Sequence, residues 1–261
     1  MFPIRDHNPS TQVPFVTYAL IVVNAAVFLS YLPLFGDEDA LYQIYLEWGL
    51  VPALFSSGEG WGGLFTSMFL HGGWMHILGN MLFLWIFGDN MEEAFGHTGF
   101  LAFYLASGVA AGLAQVGMDP ASTVPMVGAS GAIAGVMGGY LLLFPRARID
   151  ILLILVILIR IIPIPAYVML GVWFAFQLIA GIATDAAGSG VAYWAHAGGF
   201  VAGMILAAPL WLRLGGRRFW RSTGGHPPHA AAQYRFMEPG VPSVPRRTRK
   251  PLRPSPWDKR R

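Results

Sequence analysis

Six stretches of the chain carry no Asp, Glu, Lys or Arg over a length that suits a crossing of the hydrocarbon core: residues 15–32, 64–87, 100–116, 127–144, 166–182 and 191–212. What lies between them is polar or broken. Residues 34–61 form a long loop with Asp37, Glu38, Asp39, Glu47 and Glu59, no Lys or Arg, and Trp48 and Trp61. Tryptophans beside apolar neighbours favour the membrane interface, so residues 41–54 are expected to form short interfacial helices. Residues 89–97 read as a short polar turn holding Glu92 and Glu93. Asp119-Pro120 and Pro125 mark a loop, and Pro145-Arg146-Ala147-Arg148 closes the fourth run with charge. Residues 149–164 are rich in Ile and Leu but are interrupted by Arg160 and Pro163, with Pro165 just beyond. They are read as a membrane-hugging connection, too short and broken for a span. Residues 184–190 are a small polar loop.

Composition supports this pattern. The chain is 55% hydrophobic and 12% charged, a balance of polytopic membrane proteins rather than soluble domains. It has no cysteine, which excludes a disulfide framework and a thiol nucleophile. Residues 1–14 lack a small-residue cleavage pattern, so the first run is expected to remain as a membrane helix. Most Lys and Arg follow Leu212, in a proline-rich tail too poor in aliphatics to offset the entropy of ordering. The expected organisation is a cytoplasmic segment at 1–14, a six-span membrane domain at 15–212 and a basic, disordered cytoplasmic tail at 213–261. The fold class is an all-α polytopic membrane protein, a six-transmembrane-helix bundle. The basic tail should stay in the cytoplasm, which puts the amino terminus there too and the acidic first loop outside.

The chemistry lies in the polar residues within the spans. Gly131, Gly135 and Gly139 recur every four residues, as do Ala195, Gly199 and Gly203, so each row lies along one helix face. Such rows are common packing devices, and Gly, Ala and Ser are the usual residues at helix contacts in lipid. Ser130 and His196 each sit beside a row. If the rows face each other, the two side chains come within hydrogen-bond reach, and a serine hydroxyl needs such a base to act as a nucleophile. Asp185, in the loop before the sixth run, is the weakest candidate for orienting His196, and a two-residue dyad is the simpler arrangement. His76 and Asn80 share a helix face and can both donate hydrogen bonds to a developing oxyanion, with the Ser130 N–H completing the set. His71, five residues before His76, is expected to turn away from that face and to serve structure. Interhelical glue and an ion path are the competing roles for these intramembrane groups. The zinc-protease His-Glu-x-x-His pattern is absent.

Taken together, the motifs resemble the rhomboid family of intramembrane serine proteases. Gly128-Ala129-Ser130-Gly131 matches the family's Gly-x-Ser-Gly nucleophile motif. His71-Gly-Gly-Trp-Met-His76-Ile-Leu-Gly-Asn80-Met81 matches its second-span signature, and Ala195-His196-Ala-Gly-Gly its base motif. The opening Met-Phe-Pro-Ile-Arg-Asp is similar to bacterial members. The resemblance implies Ser130 as nucleophile, His196 as base, and His76, Asn80 and the Ser130 N–H as the oxyanion hole. Gly128, Gly131, Gly199 and His71 would support the site structurally. It also implies a rhomboid-like bundle with a water-filled cavity open to the outside. No cofactor, metal or nucleic acid is expected. The partners would be the lipid bilayer and single-span membrane proteins, cut in or near the membrane at small residues. The location would be a bacterial inner membrane. The oligomeric state is not assigned. Two positions depart from the family pattern. Ala134 stands four residues after the nucleophile, where an aromatic often packs on the base, and Trp61 is followed by Gly62 rather than Arg.

Two other functions compete. A catalytically silent rhomboid-like protein would bind membrane helices and guide them, but Ser130 and His196 are both present. A transporter could use Ser130, His71, His76 and His196 as a polar path, but the halves show no inverted repeat.

Overall fold

The computed structural model describes residues 2–155, 158–183 and 191–232. The chain begins with strand β1 (Phe2–Asp6) and then helix α1 (Phe15–Tyr31). The first loop carries α2 (Glu38–Trp48), α3 (Pro52–Ser56) and α4 (Gly63–Thr66). Long helices α5 (Trp74–Phe95) and α6 (His97–Met118) follow, then the shorter α7 (Ser130–Leu143). Strands β2 (Arg148–Leu155) and β3 (Leu158–Pro165) lead into α8 (Ala166–Ala183), α9 (Tyr193–Arg213) and α10 (Arg217–Thr223). By length and hydropathy, α1 together with the 3-10 turn that extends it to Gly36, and α6, α8 and α9, can each cross a membrane.

The bundle is built around α7. Eleven of its 14 residues are buried, including Tyr140 and Ile133. A helix with Gly and Ala on several sides lets neighbours approach on all of them. Here α7 packs against α5, α6 and α9. The two small-residue rows meet, though not face to face as expected. Gly199 and Gly203 do lie against α7, beside the carbonyls of Gly131 and Gly135. In the Gly131, Gly135 and Gly139 row, however, Gly131 and Gly135 point mainly at Ala111 and Ser107 of α6 and Gly139 at Met91 of α5 and Phe103 of α6, while Gly138 faces the Phe200 carbonyl. Helix α7 therefore uses neighbouring strips of its small surface for different partners.

The second run differs from its expected form. Residues 64–73 do not extend the helix: α4 and a 3-10 turn over Ser67–Phe69 end in extended backbone at Leu70. At its other end α5 continues through the expected polar turn to Phe95, leaving Gly96, at φ 71°, as the junction with α6. Glu92 is consequently buried and accepts from the Val16 and Thr17 N–H groups and the Thr17 hydroxyl. It caps α1, whose own N-cap residue, Pro14, supplies no side-chain acceptor.

The expected membrane-hugging connection is a β-hairpin, and an all-helical reading misses it. β2 pairs antiparallel with β3, from Arg148 opposite Pro165 to Leu155 opposite Leu158, and with β1 on its other side. Pro163 and Pro165 fall on the edge strand, where a missing N–H costs no ladder bond. The start of the expected 1–14 segment is thus docked by strand pairing over Phe2–Asp6. The Asp6 carboxylate accepts from the Tyr140 hydroxyl at 2.9 Å and from Asn90 Nδ2 at 3.0 Å. Arg5 Nε donates to Asp150 at 2.7 Å.

The tail expected to be disordered from residue 213 starts as ordered structure. α10 buries Phe219 against Phe144, and Trp220 Nε1 donates to the Leu142 carbonyl at 3.0 Å. Ala232 N–H donates to the His7 carbonyl at 2.7 Å. The rest of the tail, from residue 233, lies outside the described residues, as does the 184–190 loop with Asp185.

Candidate active site

Ser130 is the first residue of α7, so its N–H belongs to the turn that has no intrahelical acceptor and lies at the positive end of the helix dipole. Gly128, just before it, has φ 133°, a left-handed conformation that L side chains rarely adopt. Its N–H donates to the Ser67 carbonyl at 2.8 Å, fixing the approach to the helix. A Cβ at Gly128 would lie 2.7 Å from His76 Nε2 and 3.4 Å from Ser130 Oγ. Glycine here keeps open the space between those two groups.

His196 lies in the first turn of α9. Its Nε2 is 2.7 Å from Ser130 Oγ, and its Nδ1 is 2.9 Å from Gln177 Oε1 of α8. Gln115 of α6 accepts from the Ala195 N–H at 3.2 Å, satisfying one free amide at the start of α9. Trp173, one turn before Gln177, has its ring 6.0 Å from the imidazole, with 36° between the planes. Ala134 is fully buried in α7 and presents no ring. The base is therefore flanked from α8, where the sequence offered only an unexceptional Trp and Gln in an apolar run.

His76 and Asn80 lie one turn apart on α5 and line the same cavity as Ser130 and His196, with a volume of about 470 Å³. Gly72 N–H donates to His76 Nδ1 at 3.2 Å, which leaves the proton of a neutral ring on Nε2, the atom near Gly128. Asn80 is buried, and its Nδ2 has no hydrogen-bond partner among the described residues. A buried donor left unpaired is costly, and one that lines a cavity beside a nucleophile is available to a developing negative charge. Gly131 and Gly199 stand where α7, α6 and α9 meet beneath these groups.

His71 does not turn away from His76. It precedes α5 rather than belonging to it, and the loop brings its fully buried ring to 5.1 Å from that of His76, at 69°. The Tyr31 hydroxyl holds this loop by donating to the His71 carbonyl at 2.8 Å and accepting from its N–H at 2.7 Å. The sequence singled out His71 but gave no sign of its partner Tyr31, 40 residues before it. Among the described residues, no three His, Asp or Glu side chains are grouped so as to hold a metal ion.

A sequence model of the rhomboid domain matches residues 57–213, a stretch that includes all three motifs. Rhomboid protein 1, mitochondrial, from Saccharomyces cerevisiae is 32% identical over 200 residues, covering 73% of this chain and 51% of the yeast protein. Rhomboid protease GluP of Bacillus subtilis is 39% identical over 89 residues, 34% of this chain and 17% of that protein. Putative rhomboid protease YdcA of the same species is 37% identical over 86 residues, 33% of this chain and 42% of that one. The matches span about half or less of each of these relatives.

Proposed function

The chain belongs to the rhomboid family, and from that premise we propose that it is an intramembrane serine endopeptidase with Ser130 as nucleophile and His196 as base. The observation that carries the reading is the 2.7 Å approach of His196 Nε2 to Ser130 Oγ inside the cavity.

The chemistry follows from the groups present. His196 Nε2 takes the hydroxyl proton as Ser130 Oγ bonds to the carbonyl carbon of the substrate. The carbonyl oxygen becomes negative within reach of the Ser130 N–H, His76 Nε2–H and Asn80 Nδ2. His196 then gives its proton to the leaving amine as the C–N bond breaks. In the second half, a water passes its proton to His196, its oxygen bonds to the acyl carbon, and the ester to Ser130 breaks with return of that proton to Oγ.

The substrates are transmembrane proteins, cut within or near the bilayer. Helix α7, with 14 residues, is about 21 Å long, shorter than a hydrocarbon core of about 30 Å. Its carboxyl end runs into Arg146 and Arg148 at one face, so Ser130 stops short of the other face. Six spans at 15–212 and both termini in the cytoplasm accord with this depth and with the basic tail. The opening motif favours a bacterial cell membrane, while the relatives include mitochondrial and bacterial proteins.

The test is incubation of the purified protein with a panel of single-span substrates beside Ser130→Ala, His196→Ala and the double variant. Cleavage should occur with the native protein and with none of the variants, the double being no worse than either single because the pair acts as a unit. Cleavage by Ser130→Ala sinks the dyad. Binding without cleavage by the native protein points to the silent helix-binding alternative.

A further inference from the structure

Helix α8 is mostly turned away from the protein: Ala166, Leu170 and Gln177 are its buried residues. Gln177 is also its one amide side chain, in an otherwise apolar and aromatic helix. An amide in such a setting is unfavourable unless it is hydrogen-bonded. Its Oε1 lies 2.9 Å from His196 Nδ1.

This contact decides a chemical question at the other side of the ring. A neutral imidazole has one N–H and one lone pair, and a serine base must turn the lone pair towards the hydroxyl. A carbonyl oxygen can only accept. With Oε1 against Nδ1, the proton resides on Nδ1, and Nε2 presents its lone pair to Ser130 Oγ at 2.7 Å. The opposite tautomer would aim an N–H at the serine and could not take its proton. Trp173, four residues earlier on the same α8 face, limits tilt of the ring, and it packs in turn on Phe200 of α9 at 5.9 Å. Among the described residues, the His196 ring bonds Gln177 and Ser130 and no carboxylate.

We propose that Gln177 is a positioning residue for the proteolytic reaction: it sets the tautomer and angle of His196, so that the base is held from α8 rather than from α7. This rests on the Ser130–His196 reading above. It gives the site a neutral third member. Gln177 orients the ring through both halves of the reaction, and its oxygen continues to accept from Nδ1–H when Nε2 carries the proton taken from Ser130. It assigns α8 a role in chemistry as well as in enclosing the cavity.

The experiment compares the native protein, Gln177→Leu and Gln177→Glu in detergent, with kcat and KM measured on one cleaved transmembrane substrate. Thermal unfolding is recorded for each. Gln177→Leu keeps the bulk and removes the acceptor. It should lower kcat by about 10²-fold, the scale of loss for a misplaced catalytic group, with KM little changed. Gln177→Glu keeps both length and acceptor and should recover most of that loss. Nitrogen-15 spectra of histidine-labelled protein, assigned by difference with His196→Ala, should show His196 protonated on Nδ1 in the native protein and as a tautomer mixture in Gln177→Leu. Native kcat in Gln177→Leu, or an Nε2-protonated His196 in the native protein, overturns the proposal. If Gln177→Leu does not fold, the native spectrum and the Gln177→Glu rate still decide it. If the native protein cleaves nothing, the protease reading fails separately, and the spectra still test the tautomer.

Discussion

Gly199 of α9 lies against the carbonyl of Gly131 of α7 so closely that a Cβ at 199 would overlap the oxygen. Gly203 stands in the same relation to Gly135, one turn further along. The two helices thus touch backbone to backbone, an approach open only to residues without side chains. That approach has a chemical consequence. His196 is three residues before Gly199, Ser130 is next to Gly131, and the 2.7 Å between their side chains follows from the contact of the glycines.

Gly199→Val should insert in the membrane and keep its spans but lose most activity. Overpacking a tight contact costs about 1–3 kcal/mol, and a displacement of about 1 Å at the reacting groups costs about 10²-fold in rate. Phe200, the adjacent residue, is not a neutral control, because it is buried and stacked on Phe174 at 4.8 Å. Val201→Ala, at a residue 44% exposed, serves instead and should be mild. Activity and thermal stability in detergent would be measured for both variants. Near-native cleavage by Gly199→Val would separate the glycine contact from the chemistry.

His76→Ala and Asn80→Ala should each lower kcat without abolishing it, by about 10²–10³-fold or about 2.7–4 kcal/mol, the usual loss of one oxyanion donor. The unpartnered Nδ2 of Asn80 and the Nε2–H of His76 motivate the pair. Steady-state rates on a cleaved substrate check the point. If turnover is unchanged in both, these residues pack rather than catalyse.

Stability should fall as pH rises from about 4 to about 7, through Asp6. Burial, and then the charge of Asp89, push its carboxyl from 3.8 up to about 7, against opposing hydrogen bonds from Tyr140 and Asn8. The folded state therefore holds a proton that the unfolded chain releases near 3.8. The associated stability is complete below that value and is lost as pH rises through about 7. Asp6→Asn removes this titration. Relative to the native protein, it should unfold at a higher temperature at about pH 8 than at about pH 5. An equal shift at both pH values would assign the dependence to another group.

Single introduced cysteines can fix the orientation, since the chain has none. With an impermeant reagent on intact cells, Asp39→Cys should label and Ala230→Cys should not; both positions are exposed. The reverse pattern would invert the topology and place the acidic first loop inside.

Much of this architecture is written locally. The lengths of four uncharged runs are enough to mark α1, α6, α8 and α9 as helices able to cross a membrane, because an apolar run of that length has few other places to go. Spacing is enough to put His76 with Asn80 and to line up the glycines, because helix periodicity is a property of the chain itself. Ser130, His196, His76 and Asn80, gathered around one cavity, were all legible in this way.

Other features depend on which surfaces meet. Residues 149–164 have no helical or alternating pattern that separates them from a short apolar helix. Pairing with β1, some 145 residues away, makes them a sheet. His71 is set by a turn between helices, so extending the helical count through it put its ring on the wrong side of His76. α10 is a short basic helix with little to order it alone, and the pocket offered by Phe144 and Leu142 orders it. Gln177 is the clearest case. A glutamine in an apolar helix announces that it needs a partner, but not which one. His196 became that partner only when the packing of α8 on α9 brought Oε1 to 2.9 Å from its ring. Hydrogen bonds between helices are short-ranged and directional, so they are chosen by the final packing, whereas the helices themselves are chosen by the chain.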